Sequence, residues 1–270
     1  FNGDGTSDLI VGDAHSTTSA GRTYVVFGSK GFSSASPVSL TNVGTVVPGV
    51  IFQGPTSNEQ SGWCVSGAGD VNKDGVDDIL IGSPSYSSSN GRAYLIFGRR
   101  GTWPTSPVVL TTTFMNGTNG VIFAGTSGLS YAGYSVSSAG DFNRDNFTDI
   151  IIGEYGTGRS YIYYGKKNGW PSSVTLSTIT KINGVQLIGS GADYSGQTVS
   201  GGFDLNHDGT SDVVVGAWGG AGTGIQRGNA FVVFGKVGGY GLDQITLSTL
   251  NGSTNGFRID GETNSDRTGF

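Results

Sequence analysis

Charge is scarce in this chain. Among 270 residues there are 15 Lys and Arg against 20 Asp and Glu, a formal net charge of -5. A chain so short of positive charge offers no general basic surface to nucleic acid. It holds two histidines, one methionine, seven prolines and one cysteine. Cys64 has no partner for an internal disulfide, so cysteine does not decide the compartment. It reads instead as a small buried apolar residue. No apolar run approaches the ~20 residues that a helical membrane span needs. The chain opens at Phe1 without Met and without a signal-peptide pattern, and its frame reads as a piece of a longer precursor.

Glycine is what abounds, at 49 residues. It does not recur every third residue, which excludes a collagen helix. With plentiful Ser, Thr, Val, Ile, Phe and Tyr, the mix suits an all-β protein rich in tight turns.

The sequence repeats. "DVNKDGVDDILIG" (Asp70 to Gly82) returns as "DFNRDNFTDIIIG" (Asp141 to Gly153) and "DLNHDGTSDVVVG" (Asp204 to Gly216). A clipped copy, "FNGDGTSDLIVG", starts at Phe1. "GRTYVVFG", "GRAYLIFG", "GRSYIYYG" and "GNAFVVFG" recur in step, ending at Gly28, Gly98, Gly165 and Gly235. So do "GVIFQG", "GVIFAG", "GVQLIG" and "GFRIDG". The period runs from 63 residues (Asp141 to Asp204) to 71 (Asp70 to Asp141).

Each unit carries four short apolar runs rich in β-branched and aromatic residues, which read as strands. Runs such as Tyr94-Leu95-Ile96-Phe97 are continuous, as expected of strands covered on both faces. Four strands per repeat predict a β-propeller of four-stranded antiparallel blades. The units span roughly residues 1-60, 61-129, 130-192 and 193-262, with 263-270 opening the next. The frame leaves a gap of a few residues between Phe270 and Phe1, so a nearly closed four-bladed ring is the alternative to part of a larger propeller.

The acidic stretches set Asp70, Asn72, Asp74 and Asp78 at positions one, three, five and nine of a turn, with the Val76 carbonyl at position seven. Six or so oxygens around one point are what a hard divalent cation requires, and calcium fits better than magnesium. Asp141, Asn143, Asp145, Phe147 and Asp149 repeat the set, as do Asp204, Asn206, Asp208, Thr210 and Asp212. The first copy keeps Asn2, Asp4, Thr6 and Asp8 and is truncated at position one, so weaker binding is expected there. Position six needs positive φ, which Gly75 supplies and Asn146 tolerates. An EF-hand is excluded: position twelve is Ile81, Ile152 or Val215 instead of Glu, and strands flank the loops. The alternative is a polar turn held by side-chain-to-backbone hydrogen bonds without metal. Three dications would carry the formal charge from -5 to +1.

The "FG" pairs Phe27-Gly28, Phe97-Gly98 and Phe234-Gly235, the "VSGAGD" lead-in and the D-x-N-x-D-G-x-x-D loop resemble the FG-GAP repeats of integrin α-subunit propellers. The intervening text is similar to integrin-α-like repeat proteins of bacteria and unicellular eukaryotes. The resemblance covers essentially the whole chain. It implies calcium in each acidic loop, between the first and second strands of a blade, an extracellular or cell-surface setting, and adhesion. Propellers of that family usually have seven blades, which implies that four repeats are part of one. The "GAP" element survives only as Gly82-Ser83-Pro84 and looser versions, and nothing matches an integrin's inserted ligand-binding domain.

The expected function is a calcium-braced, non-enzymatic recognition module with an extracellular protein or glycan partner. Sequons at Asn116 and Asn251 are the glycosylation candidates, while Asn146 lies inside a metal loop. A surface-fibre subunit, assembling with itself or with neighbouring domains, is one alternative. The non-catalytic propeller part of a secreted hydrolase such as a phospholipase is another. His15 and His207 sit in different copies, and no nucleophile elbow, zinc motif or P-loop occurs. Trp103, Trp170, Phe32 and Tyr240 recur after the "FG" strand and read as packing between blades. Trp218 has no counterpart, which makes it the better contact candidate of the set, but partial burial is the favoured reading for it too.

Overall fold

A computed structural model describes residues 1–16, 19–30, 37–219, 227–250, 252, 254–263 and 267–269. Phe32, Asn251 and Phe270 lie outside the described residues.

The chain is all-β; its described residues form four blade-like sheets in series, none of them closed on itself. The first holds β1 (Leu9–Asp13), β2 (Arg22–Val26) and β3 (Gly49–Gln53). The second holds β4 (Val65–Gly69), β5 (Asp78–Ser83) and β6 (Arg92–Ile96). Then come β7 (Val108–Val109), which joins the first sheet, and β8 (Gly120–Ala124), which completes the second. The third holds β9 (Ala132–Gly140), β10 (Asp149–Glu154), β11 (Arg159–Tyr163) and β13 (Gly184–Ile188), while β12 (Ser173–Thr175) joins the second. The fourth holds β14 (Thr198–Phe203), β15 (Asp212–Ala217), β16 (Asn229–Val233) and β18 (Gly256–Asp260), while β17 (Gln244–Thr246) joins the third.

Each blade is an antiparallel meander, and β4, β9 and β14 run side by side as innermost strands. Core clusters form between blades. Leu80, Leu95 and Phe123 of the second pack with Ile152, Tyr161 and Tyr163 of the third. Ile151, Ile162 and Leu187 of the third pack with Val213, Val215 and Phe231 of the fourth. Both faces of the middle strands are therefore covered, and every residue of β5, β6 and β10 is buried. This is why the runs are continuous in apolar character.

One feature goes beyond the four-stranded blade. β7, β12 and β17 lie in the third-to-fourth-strand connections of their own repeats, yet each pairs in parallel with the outer strand of the preceding blade. Val108 pairs with Phe52, Val174 with Phe123 and Ile245 with Leu187. The segments read "PVVL", "SVTL" and "QITL", and their leucines, Leu110, Leu176 and Leu247, are fully buried. Each connection thus latches its blade to the one before.

Candidate cation loops and the opposite rim

The acidic loops join the first and second strands of their blades, as the family resemblance implies. Their geometry repeats. Both oxygens of the position-nine aspartate face inward. Asp78 Oδ2 accepts from the Val71 N–H at 2.9 Å and Oδ1 from the Gly98 N–H at 2.8 Å. Asp149 does the same with Phe142 (3.0 Å) and Gly165 (2.8 Å), and Asp212 with Leu205 (2.8 Å) and Gly235 (2.9 Å). Asp8 takes the Phe1 ammonium (2.8 Å) and the Gly28 N–H (2.9 Å). The "FG" glycine therefore donates to its own blade's acidic loop. A Cβ on Gly98 would overlap the Asp77 carbonyl oxygen, so only glycine brings that N–H so close.

The remaining ligand candidates form a second layer. Asp70 accepts from the N–H groups of Asp74 (3.0 Å) and Gly75 (2.8 Å). Asn72 Oδ1 also accepts from Asp74 N–H, at 2.9 Å, and Asp74 accepts from Asn72 Nδ2 and Val76 N–H, both at 2.9 Å. Asp141, Asn143, Asp145 and Phe147 reproduce this set, with Asn146 in Gly75's place. Asp204, Asn206, Asp208 and Thr210 reproduce it again, and the Thr210 hydroxyl adds a bond to Asp208. The first loop retains Asn2–Asp4 and Asp4–Thr6. Among the described residues no group of three or more His, Cys, Asp and Glu side chains converges on one point. Each aspartate is drawn toward N–H donors of its own loop.

Positive φ occurs at position six (Gly75, Asn146, Gly209) and also at position four, where Lys73, Arg144 and His207 have φ of 53°, 56° and 59°. The sequence reading missed position four. His207 is solvent-exposed. Lys73 and Arg144 instead reach the next loop. The Lys73 ammonium lies 5.0 Å from the Phe147 ring centre, and an Arg144 N–H donates to the Asp208 carbonyl oxygen at 3.4 Å.

The electrostatics of the two layers differ. Burial pushes the Asp78 carboxyl up to about 8 despite its two N–H donors, and neighbouring Asp74 and Asp70 add to the rise. Asp149 and Asp212 move upward for the same reasons. Two position-five aspartates go the other way. The Thr210 hydroxyl holds Asp208 below the usual carboxylate range, and the Thr6 N–H does so for Asp4. Among the described residues no Lys or Arg pairs with a carboxylate of these loops.

The opposite rim carries features with no repeat signature. Glu59, in the connection after β3, is buried. It accepts from Arg92 Nη2 at 2.6 Å and the Tyr94 hydroxyl at 2.8 Å, both on the next blade. At the next junction the buried carboxylate comes from the other side. Glu154, at the end of β10, accepts from Thr126 N–H (2.8 Å), Thr157 Oγ1 (2.7 Å) and the Tyr161 hydroxyl (2.8 Å). Repeat alignment hides this exchange, because each copy fills a different position. Breaking a buried ion pair by removing one partner costs about 3–5 kcal/mol. Glu59→Ala is therefore expected to lose that much in a urea melt; a change within about 0.5 kcal/mol, the usual range for surface sites, would exclude the pinning role.

The same rim bears a row of rings. Trp63 lies 5.2 Å from Tyr134, Tyr134 4.7 Å from Tyr155, Tyr155 6.1 Å from Tyr194, and Tyr194 stacks on Trp218 at 4.7 Å. Trp63 and Tyr194 are 39% and 38% exposed. Trp218, read as lacking counterparts, thus belongs to a line crossing three blades. Trp103, Trp170 and Tyr240 instead pack against Phe52, Phe97 and Phe142, between blades as expected. Cys64 is half-buried against the core. Asn116 is exposed, and its Oδ1 accepts from the N–H groups of Thr118 and Asn119.

The FG-GAP repeat family matches residues 64–96 and 132–163, each the start of a blade through its third strand. The chain carries integrin-α-like FG-GAP repeats. Integrin alpha pat-2 of Caenorhabditis briggsae is 28% identical over 246 residues, covering 87% of this chain and 18% of the relative. Integrin alpha-5 of Xenopus laevis is 31% identical over 188 residues, covering 67% and 17%. Integrin alpha-6 of Gallus gallus is 30% identical over 155 residues, covering 55% and 12%. The FG-GAP chain therefore spans less than a fifth of these curated relatives. No helix among its described residues is long and apolar enough to cross a membrane.

Proposed function

We propose that the FG-GAP chain is a calcium-braced, non-enzymatic recognition module of an extracellular or cell-surface protein. The observation that carries this reading is the recurring loop whose aspartates form no ion pair with a Lys or Arg among the described residues, around a buried carboxylate that burial and its neighbours drive upward. A dication relieves both penalties. The donor set fits. Each carboxylate oxygen has two lone pairs, and the loop N–H groups use one, so Asp70, Asn72, Asp74 and the Val76 carbonyl can hold the ion with Asp78. Asp141, Asn143, Asp145, Phe147 and Asp149, then Asp204, Asn206, Asp208, Thr210 and Asp212, hold the next two. Asn2, Asp4, Thr6 and Asp8 form the truncated site. Bound calcium supplies positive charge that stiffens this rim; the chain's own N–H groups keep the carboxylates aimed.

The opposite rim then serves as the contact face for a protein partner, with Trp63 and Tyr194 as exposed anchors; aromatics dominate interface energetics. The test is adhesion of protein-coated beads to cell-surface extracts in calcium and in chelator. Trp63→Ala with Tyr194→Ala is expected to cut adhesion at least tenfold while leaving the melting temperature within about 2 °C, since surface changes seldom exceed about 0.5 kcal/mol. Unchanged adhesion would remove this face from the reading. A glycan partner is the second reading, favoured by the Ser, Thr, Asn and Gln that surround the rings in "PTSNEQSGW" and "GTSGLSYAGY". A glycan array separates the two.

A further inference from the structure

Backbone bonds between blades tie the acidic loops to one another through position two. Its N–H donates to the position-nine aspartate of its own loop, Val71 to Asp78 and Phe142 to Asp149. Its carbonyl accepts from the next blade, from the residue just after the "FG" glycine. The Phe1 carbonyl takes the Arg99 N–H at 3.1 Å, Val71 the Lys166 N–H at 3.0 Å and Phe142 the Lys236 N–H at 2.9 Å. The glycine before each donor, Gly98, Gly165 or Gly235, donates to the position-nine aspartate of that next blade.

The two sets of bonds join into one belt. From Asp78 it passes through the Val71 peptide to Lys166 and Gly165, and so to Asp149. From Asp149 it passes through the Phe142 peptide to Lys236 and Gly235, and so to Asp212. Val71, Phe142 and the three aspartates are fully buried. The crossings are close. A Cβ on Gly98, Gly165 or Gly235 would lie 2.9, 2.9 or 2.7 Å from the position-two carbonyl oxygen of the preceding loop. The "FG" glycine therefore admits the neighbouring loop as well as serving its own. At the last crossing the Ser211 and Gly238 N–H groups also donate to the carbonyls of Asp141 (3.1 Å) and Asn143 (2.7 Å).

We propose that this belt makes the acidic loops a coupled series, in which ordering one loop stabilises the next. A loop costs less to order when its neighbour already fixes the shared peptides, and that gives positive coupling without a change of shape. The belt is a contiguous, buried hydrogen-bond network, the kind that carries such coupling. Repulsion between ions in adjacent loops opposes it, but the outer loop residues are exposed and salt screens them. For calcium the proposal rests on the reading above, and an ion in one loop then raises the affinity of the loops beside it. The coupling is reciprocal. The belt itself consists of the chain's own bonds and holds without the ion.

Residue-resolved NMR of backbone amides tests this in two arms. In chelator, Asp149→Asn is expected to speed hydrogen exchange at least threefold at Val71 and Gly235. Neither amide bonds Asp149; they donate to Asp78 and Asp212. Leu95 and Val232, mid-strand in the same two blades, are expected to change less. In calcium, Asp141→Ala removes a ligand whose side chain lies outside the belt. The calcium midpoints read at Gly75 and Gly209, in the flanking loops, are expected to rise about fivefold, the lower end of ordinary coupling. Asp204→Ala is expected to raise the midpoint at Asn146 by the same factor. Exchange at Val71 and Gly235 that is unchanged, or that rises only in step with Leu95 and Val232, would overturn the proposal. So would midpoints at Gly75 and Gly209 within about twofold of the unaltered protein, against the fivefold expected. If calcium shifts no loop amide, the calcium reading falls by itself and the exchange arm decides the belt.

Discussion

Asp149→Ala is expected to destabilise the FG-GAP chain by about 2–6 kcal/mol, because it strips the partner from two buried N–H groups at about 1–3 kcal/mol each. Those groups belong to Phe142, at the start of the acidic loop, and Gly165, after the third strand. The carboxylate ties the loop to the "FG" position of its own blade. It has 0% exposure, so water does not replace it. Asp149→Asn keeps one acceptor oxygen and is expected to lose about half as much. Chemical denaturation measures both. The loss from the unpaired N–H groups persists in chelator, since those bonds do not need the ion. A loss within about 0.5 kcal/mol, the range of ordinary surface changes, would remove the brace from the account.

Stripping calcium is the second large effect. Extracellular calcium modules bind at roughly 0.1–1 mM. At about 2 mM calcium each site then stabilises by about 0.6–1.8 kcal/mol, so three sites give about 2–5 kcal/mol. For a chain this long that is a rise in melting temperature on the order of 4–10 °C. Chelator is expected to reverse it. The sign follows from electrostatics: without the ion Asp70, Asp74 and Asp78 repel one another around a buried carboxylate. Identical melts in calcium and chelator would leave the aspartates explained by their N–H bonds alone.

The fold was largely legible because the repeat is written in residue types with one physical meaning. β-branched runs gave the strands and Asp-x-Asn-x-Asp gave the turns, which the family resemblance placed between first and second strands. The position of "FG" was legible but its purpose was not. Only the structure shows that the Gly98 N–H serves Asp78. The latch strands escaped for another reason. "PVVL" and "SVTL" sit in connections whose partner strand lies in the preceding repeat, and local pattern says nothing of non-local pairing. Glu59 and Glu154 escaped because they exchange positions between copies, so the repeat signal cancels. Position nine was read simply as a ligand; its two N–H donors show a structural tie as well.

The most direct test of the central claim is a calorimetric titration of calcium into chelator-treated, dialysed protein. Saturable heat from at least three sites at roughly 0.1–1 mM, falling by one site in Asp141→Ala, is the predicted result. Heat no larger than dilution, at calcium concentrations well above that range, would contradict it.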